Sequence, residues 1–577
     1  MEASVSSINN HKTNIQYGTN NHIEYTWSSI QQELVLQLSY QLVRTSDETK
    51  ISSLSSAFKQ CFQAGNVYER RLLLKLIAHT RDIEQGKGEY MLSFVLMKEL
   101  MEQDYYLFIE MMKLFVGYRV ASYRSPALQN KTPYGSWKDI KYYIHYIRYC
   151  PDVIITLINT QISEDLVNME YGLPCSLAAK WIPREASKKF GWITILFAKD
   201  YYKQYGYSGW SKSAMRKAQT HYRQTISKLN KYIDTVQIKQ CGHEWSKIDL
   251  NKVTGCTMIK QRRAFLNINS NRYIGYDVKG RDLNRDRIIC REKMIRHIEM
   301  VKHCEDHGGS PDKEVFIELK GKNIGIPDLV KAALTANTLE EVAIINELWA
   351  NHRNQIKPLD NVIAMIDLSS SMEENNSDAL YAAIGLGIIV AEKSNLGKRI
   401  MAFTNVPTWI NLEDSPDFVS SVKKITEIER GTNADIYKVM ELILNIIIEN
   451  KIPAEDVESL VFAIFSDMQF DMCKQLPNTI SLRRNFSQKY HNTGVQLCGR
   501  GYKVPHILFW NMKNTNGFPD VSYQDGVSMM SGYSAKLLNH FMEHTQLCGD
   551  ENMTPWLRLN NMLNKSRYRI INELIPE

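Results

Sequence analysis

Three residues of one short turn carry the most legible chemistry in this chain. The stretch MIDLSSSM sets Asp367, Ser369 and Ser371 on alternate positions directly after the apolar run NVIAMID. A carboxylate and two hydroxyls at this spacing can turn toward one point. They offer three hard oxygens, the donor type that Mg2+ favours, with Mn2+ or Ca2+ as substitutes. Two distant segments add oxygen. GTNAD (Gly431–Asp435) places Thr432 in a loop before an expected helix, and FSDMQFD places Asp467 at the end of the run SLVFAIFSD. In an open parallel sheet, ligands collect beyond the carboxyl ends of the strands, so these segments are expected to share one rim. The bland alternative is a Ser-rich turn that only caps a helix, which is the usual role of DxSxS alone. The full set in this order is the more specific signal. Glu373, Glu374 and Asp471 add nearby charge and read as solvated loop carboxylates.

A second chemistry lies in the middle of the chain. From Lys180 to Lys302 there are 27 Lys and Arg against 10 Asp and Glu, whereas Pro358 to Glu577 holds 20 against 26. Basic side chains neutralise phosphates, and exposed rings stack on unpaired bases. Candidate phosphate contacts are Lys212, Arg216, Lys217, Arg223, Arg262, Arg263, Arg281, Arg285 and Arg287; candidate stacking rings are Tyr207, Trp210 and Tyr222. RNA or another nucleic acid is the partner this pattern favours. An acidic protein partner and a merely solvated surface stay open, because many of these rings suit a helix core and some charges pair along a helix.

Other constellations are weaker. Cys290, His297, His303, Cys304 and His307 cluster in sequence but lack the paired spacing of a zinc site. Neither a GxxxxGK[ST] loop, an HExxH helix nor a GxSxG elbow is present, and GLGIIV (Gly385–Val390) falls inside a helical pattern. A non-catalytic binding protein is therefore expected. A metal-dependent hydrolase acting at Asp367 is the minor alternative. The ten scattered cysteines read as thiols. With no long apolar run and no secretion signal at the start, a cytoplasmic protein without a membrane partner is expected.

The elements that must position these residues follow from periodicity. Residues 1–25 read as a loose, Asn- and Ser-rich tail. From 26 to 356, stretches such as SIQQELVLQLSYQLV and YMLSFVLMKELMEQDYYLFIEMMKLF repeat apolar residues at helical spacing between short turns. This predicts an all-α, repeat-like half, with the basic segment at 180–303. The texture changes at Lys357-Pro358. NVIAMID, RIMAFT, SLVFAIFSD and HILFWNM read as strands alternating with helices at Ser377–Ser394 and Ala434–Asn450. That pattern predicts a doubly wound α/β domain over 358–577.

The Asp-Ser-Ser loop, Thr loop and strand-ending Asp resemble the metal-ion-dependent adhesion site of von Willebrand factor A domains, a Rossmann-like fold. The resemblance implies that Asp367, Ser369, Ser371 and Thr432 line the ion, that Asp467 acts through water, and that a partner's acidic residue takes the open position. Ser370 stands where that family usually has Gly. The phrases TRDIEQGKGEY, YGSWKDI, LAAKWIPRE, FSDMQFD, ILFWNM and SGYSAKLL resemble the domain of unknown function 2828 family, which has no assigned activity and occurs in plants, fungi, microbes and giant DNA viruses. Usage rich in Ile, Asn, Lys and Tyr suits a giant-virus origin, with host cytoplasm or virion as the place. A helical half followed by an A-type domain is also similar to the TROVE family of Ro autoantigens, which implies ribonucleoprotein binding. The alternative function is a protein scaffold or assembly factor with no nucleic-acid role. Oligomeric state and any closed ring of helices are not legible.

Overall fold

The computed structural model describes residues 15–18, 23–118, 133–203, 211–268, 284–307, 312, 315–403, 406–431, 435–470, 482–545 and 554–576. The chain divides into two compact units: residues up to Glu99 with Lys322–Asn337 and Trp349–Glu577, and Leu100–Gly321 with Thr338–Leu348. The expected boundary at Lys357-Pro358 does not separate them. The reason is packing. Helix Gln31–Gln41 lies against the last strand of the sheet, and helix Ile326–Thr335 lies against helices Asp378–Lys393 and Phe418–Thr426.

The first unit is built on a six-stranded sheet. Its strands are preceded in the chain by a hairpin, β1 (Ile15–Tyr17) and β2 (Ile23–Tyr25). The sheet strands are β3 (Val362–Asp367), β4 (Arg399–Phe403), β5 (Thr408–Asn411), β6 (Val461–Ser466), β7 (His506–Asn511) and β8 (Val527–Ser531). Their order is β5-β4-β3-β6-β7-β8, parallel except for the β4–β5 pair. Every residue of β6, β7 and β8 is buried, so both faces are covered, as near-continuous apolar runs require. This is the expected doubly wound α/β arrangement. The order reverses direction between β3 and β6, the place where such sheets open a crevice at their carboxyl ends.

Two glycines set the packing of helix Asp378–Lys393. A Cβ at Gly387 would meet Ile366 of β3 at 2.7 Å, and one at Gly385 would meet Ile326 at 2.2 Å. GLGIIV thus lets the helix approach the sheet on one side and a helix on the other.

The reading of 1–25 as a tail is corrected in part. IQY and IEY pair in register, and Tyr25 exchanges backbone hydrogen bonds with Phe518 at 2.9 and 3.0 Å. Three-residue strands are too short to show alternation, and an outside partner holds them. Helix Gln31–Gln41 also departs from an amphipathic reading, since Glu33 through Tyr40 and Gln41 are all buried. Its end meets the segment after β7: Gln41 accepts from Thr515 N at 2.8 Å, and Asn514 Nδ2 donates to the Gln41 carbonyl at 2.6 Å. The turn in TRDIEQGKGEY joins helices Val67–Arg81 and Tyr90–Gln103, and its Lys87 donates to Ser531 Oγ of β8 at 2.6 Å. From the SGYSAKLL phrase, Lys536 donates back to the Ile83 carbonyl at 2.9 Å.

The second unit is helical. Helix Lys212–Tyr232 packs on Gly191–Lys203 and Asp152–Glu170. Asn159 ties all three: its amide donates to the Phe197 carbonyl at 3.0 Å, and its oxygen accepts from Tyr222 OH at 3.2 Å. Among the described residues no helix is long and apolar enough to cross a membrane.

Candidate metal-binding rim and basic helix

The ends of β3 and β6 are neighbours in the sheet, so Asp367 and Asp467 arrive at the same rim. Asp367 is fully buried; Ser369 and Asp467 are nearly so. Both oxygens of Asp367 are held. Oδ1 accepts from Ser369 N at 2.8 Å and Oδ2 from Ser466 Oγ at 2.6 Å. The Ser369 and Ser371 hydroxyls are hydrogen-bonded to each other at 3.0 Å, which keeps them on the same side of the turn. After β6 the chain turns sharply. Met468 takes a left-handed conformation (φ 62°), and Met468 N and Gln469 N bond back to Ser466 Oγ and Asp467 Oδ1 at 3.0 and 3.1 Å.

Four of the five expected oxygen-bearing residues therefore meet. Thr432 lies outside the described residues, but its neighbour Gly431 pairs with Ser369, and the Gly431 carbonyl accepts from Ser370 N at 3.1 Å. Burial, and then the Asp467 carboxylate, push Asp367 up to about 7, while hydrogen bonds from Ser369 and Ser466 act the other way. Two buried carboxylates side by side repel, and a cation among them would reverse that balance. The donor set is all oxygen and fits a hard divalent ion. Among the described residues no cluster of three or more His, Cys, Asp or Glu could hold a metal, and the rim is a different set, of carboxylates and hydroxyls. The Cys290–His307 segment is engaged otherwise: His297 contacts Glu347 at 2.8 Å and accepts from Ile317 N at 3.2 Å.

Reasoning from sequence missed Ser466. Its signal was present in FSD, since the residue before a strand-ending Asp faces the neighbouring strand end. Lys513 was missed as well. It donates to the Ser371 carbonyl at 3.3 Å and to Glu374 at 2.6 Å, a contact made by chain 139 residues away from Glu374.

In the helical unit, Lys212–Tyr232 buries Ala218, Tyr222, Thr225 and Leu229 and has no Asp or Glu. Lys212, Arg216, Lys217, Arg223, Lys228 and Lys231 are exposed on it. Arg223 pairs with Glu185 at 3.3 Å, and Arg285 is exposed at the start of helix Arg285–His307. Three candidates are corrected. Tyr222 is buried and bonded to Asn159, because it falls on the core stripe of its helix. Arg262 is buried against Glu341 at 3.0 Å. Arg287 lies over the Trp245 ring at 3.8 Å and donates to the Ala264 carbonyl at 2.6 Å. Arg263 is part-exposed and shares Glu341 at 2.9 Å. Tyr207, Trp210 and Arg281 lie outside the described residues.

The order of the strands makes the C-terminal sheet a mostly parallel, doubly wound α/β domain with Asp367 and Asp467 at its switch point. The family described as Domain of unknown function (DUF7788) matches residues 361–568, which include the rim. An uncharacterized protein of Acanthamoeba polyphaga mimivirus is 24% identical over 527 residues, 87% of this chain and 81% of that one. A galactokinase of Candida albicans is 24% identical over 170 residues, 28% of this chain and 31% of its own length. The crystal structure of the Deinococcus radiodurans RO (RSR) protein aligns over 92% of this chain and 96% of its own, at a TM-score of 0.31 and 10% identity.

Proposed function

We propose that this chain is a non-catalytic binding protein with two recognition chemistries: a divalent-ion rim that docks a partner's carboxylate, and a basic helical face that binds RNA. The observation that carries the first is the meeting of Asp367, Ser369, Ser371 and Asp467 from the ends of two adjacent strands. The Asp367 carboxylate and the Ser369 and Ser371 hydroxyls would hold Mg2+, or Mn2+ or Ca2+ in its place. Thr432, the residue after Gly431 in sequence, would be the further hydroxyl ligand, and Asp467 would support the ion through water. When bound, the ion supplies a positive point that draws an acidic side chain.

Support for the second is the helix Lys212–Tyr232, with six exposed cations and no acid along it. We read the shared phrases as kinship with the domain of unknown function 2828 family, and a ribonucleoprotein role of the TROVE kind as the nearest functional analogy.

Two measurements test the two halves. Saturating Mg2+ should raise the unfolding free energy by about 2.7 kcal/mol at one hundred times Kd, and Asp367→Ala should erase that gain. Filter binding of structured RNA should weaken steeply between about 50 and 200 mM salt. Absence of RNA retention at low salt favours the scaffold reading, in which the basic face meets an acidic protein.

A further inference from the structure

Beside the rim the first unit opens a cleft of about 400 Å³, lined among others by Gln16, Tyr17, Lys50, Asp467, Lys513 and Thr515. Four stretches far apart in sequence build it: the hairpin, the helix Glu48–Ala64, the turn after β6 and the turn after β7. Lys50 Nζ is anchored on the Asn514 carbonyl at 2.6 Å, and Lys513 reaches the Ser371 carbonyl of the ion-binding turn. Burial, and then Lys513, hold the Lys50 ammonium below its ordinary range, with Asp47, Glu374 and Asp467 acting the other way. Lys50, Lys513 and Asp467 line the same cleft. Two acids line the cleft: Asp467, and Glu24, which is buried and accepts from Gln16 Nε2 at 2.6 Å. Lys513 also pairs with the exposed Glu374 at 2.6 Å, a contact that a peptide carboxylate would share or displace.

The hairpin adds a backbone element. Tyr25 points its N–H and C=O at Phe518, so alternation along β2 turns those of Glu24 toward Gln16. The same alternation on β1 turns the N–H and C=O of Ile15 and Tyr17 outward. Among the described residues no backbone bond pairs that outer edge, and Tyr17 lines the cleft.

We propose that this cleft is the groove for an extended acidic peptide: one carboxylate binds the ion at the Ser369–Ser371 turn, another meets Lys50 and Lys513, and the peptide backbone pairs with the outer edge of β1. The ion contact rests on the rim reading given above; the lysine and strand contacts do not. An open strand edge recognises a peptide backbone, which a nucleic-acid phosphate chain does not offer. Paired ammonium groups beside the edge select acidic side chains.

The test uses the full chain and a fluorescein-labelled, amidated peptide of sequence Thr-Asp-Val-Asp-Val-Asp, read by anisotropy in Mg2+ at low salt. Binding of Mn2+ is read separately by electron paramagnetic resonance. Lys50→Met with Lys513→Met keeps the aliphatic stems and should weaken the peptide by about tenfold or more. Tyr17→Pro removes an outward N–H, spares the Gln16–Glu24 pairing, and should weaken it similarly. Unchanged unfolding midpoints confirm that these variants fold. If Mn2+ binds but the peptide does not, or neither variant changes its affinity, the groove is wrong and the rim stands. Lysine-dependent peptide binding without Mn2+ binding overturns the rim and keeps the groove. Equal affinity for the Asn-for-Asp peptide overturns the groove, as does lysine-dependent binding of hexauridylate in the peptide's place.

Discussion

Ser466, the last residue of β6, donates its hydroxyl to Asp367, the last residue of β3, at 2.6 Å. This bond joins the strand ends at the switch point and fixes the orientation of the carboxylate. Groups that orient a metal ligand typically contribute tenfold or more to metal affinity. Ser466→Ala should therefore weaken Mn2+ binding by about tenfold, read by titration calorimetry, while Ser459→Ala, two residues before the start of β6, leaves it unchanged.

Asp82 and Arg567 form a buried ion pair within the first unit, completed by Tyr568 OH at 3.0 Å from the carboxylate. Asp82 is fully buried and the Arg567 side chain is 9% exposed. Removing one partner strands the other charge. Arg567→Met should cost about 3–5 kcal/mol in urea unfolding. The double variant Asp82→Leu, Arg567→Met should cost less than Arg567→Met alone. A double variant as unstable as the sum of the singles would show that the pair does not act as a unit.

His79 is fully buried and packs edge-on against Tyr568 at 6.0 Å, and among the described residues neither ring nitrogen has a hydrogen-bond partner. Burial, then the nearby Lys87, His540 and Lys565, hold it well below the ordinary imidazole value. As pH falls through about 6.5 the unfolded chain takes up a proton that the folded chain refuses. The unfolded state then binds more protons, so stability is full above that pH and declines below it. His79→Phe should flatten the loss of stability between pH 7.5 and 5.5, measured by urea midpoints relative to the parent chain.

The basic residues divide into two kinds. Arg216 and Lys217 are exposed, and reversing both to Glu should reduce RNA affinity and lower the slope of log affinity against log salt by about one to two. Arg262 is buried on Glu341. Arg262→Ala should lower the unfolding midpoint and leave the salt slope where it was. A salt slope equally reduced in both would undo this division.

Local chemistry and periodicity made much of this protein legible. VIAMID, VFAIFS and HILFWN are apolar runs that suit only strands buried on both faces, and the Asp-x-Ser-x-Ser turn follows the first of them in sequence. Rim residues were legible because strand ends in a parallel sheet are brought together by topology alone. Strands β5 and β8 went unread, since TWIN and VSMMS are too short for a pattern and are held by neighbouring strands. The same limit hid the hairpin, which rests on Phe518, and the packing of helix Gln31–Gln41 within the first unit. Which cations face solvent was also beyond sequence: Arg262 and Arg216 read alike until the helix stripe that contains Glu341 was in place. Sequence by itself determined the four inner strands of the sheet, the acidic and hydroxyl residues at their ends and the charge of the middle segment, because those depend on residue type and short spacing. Only the tertiary structure decided the cleft, because Lys50, Lys513 and Tyr17 come from segments with no local signal and meet through long-range packing.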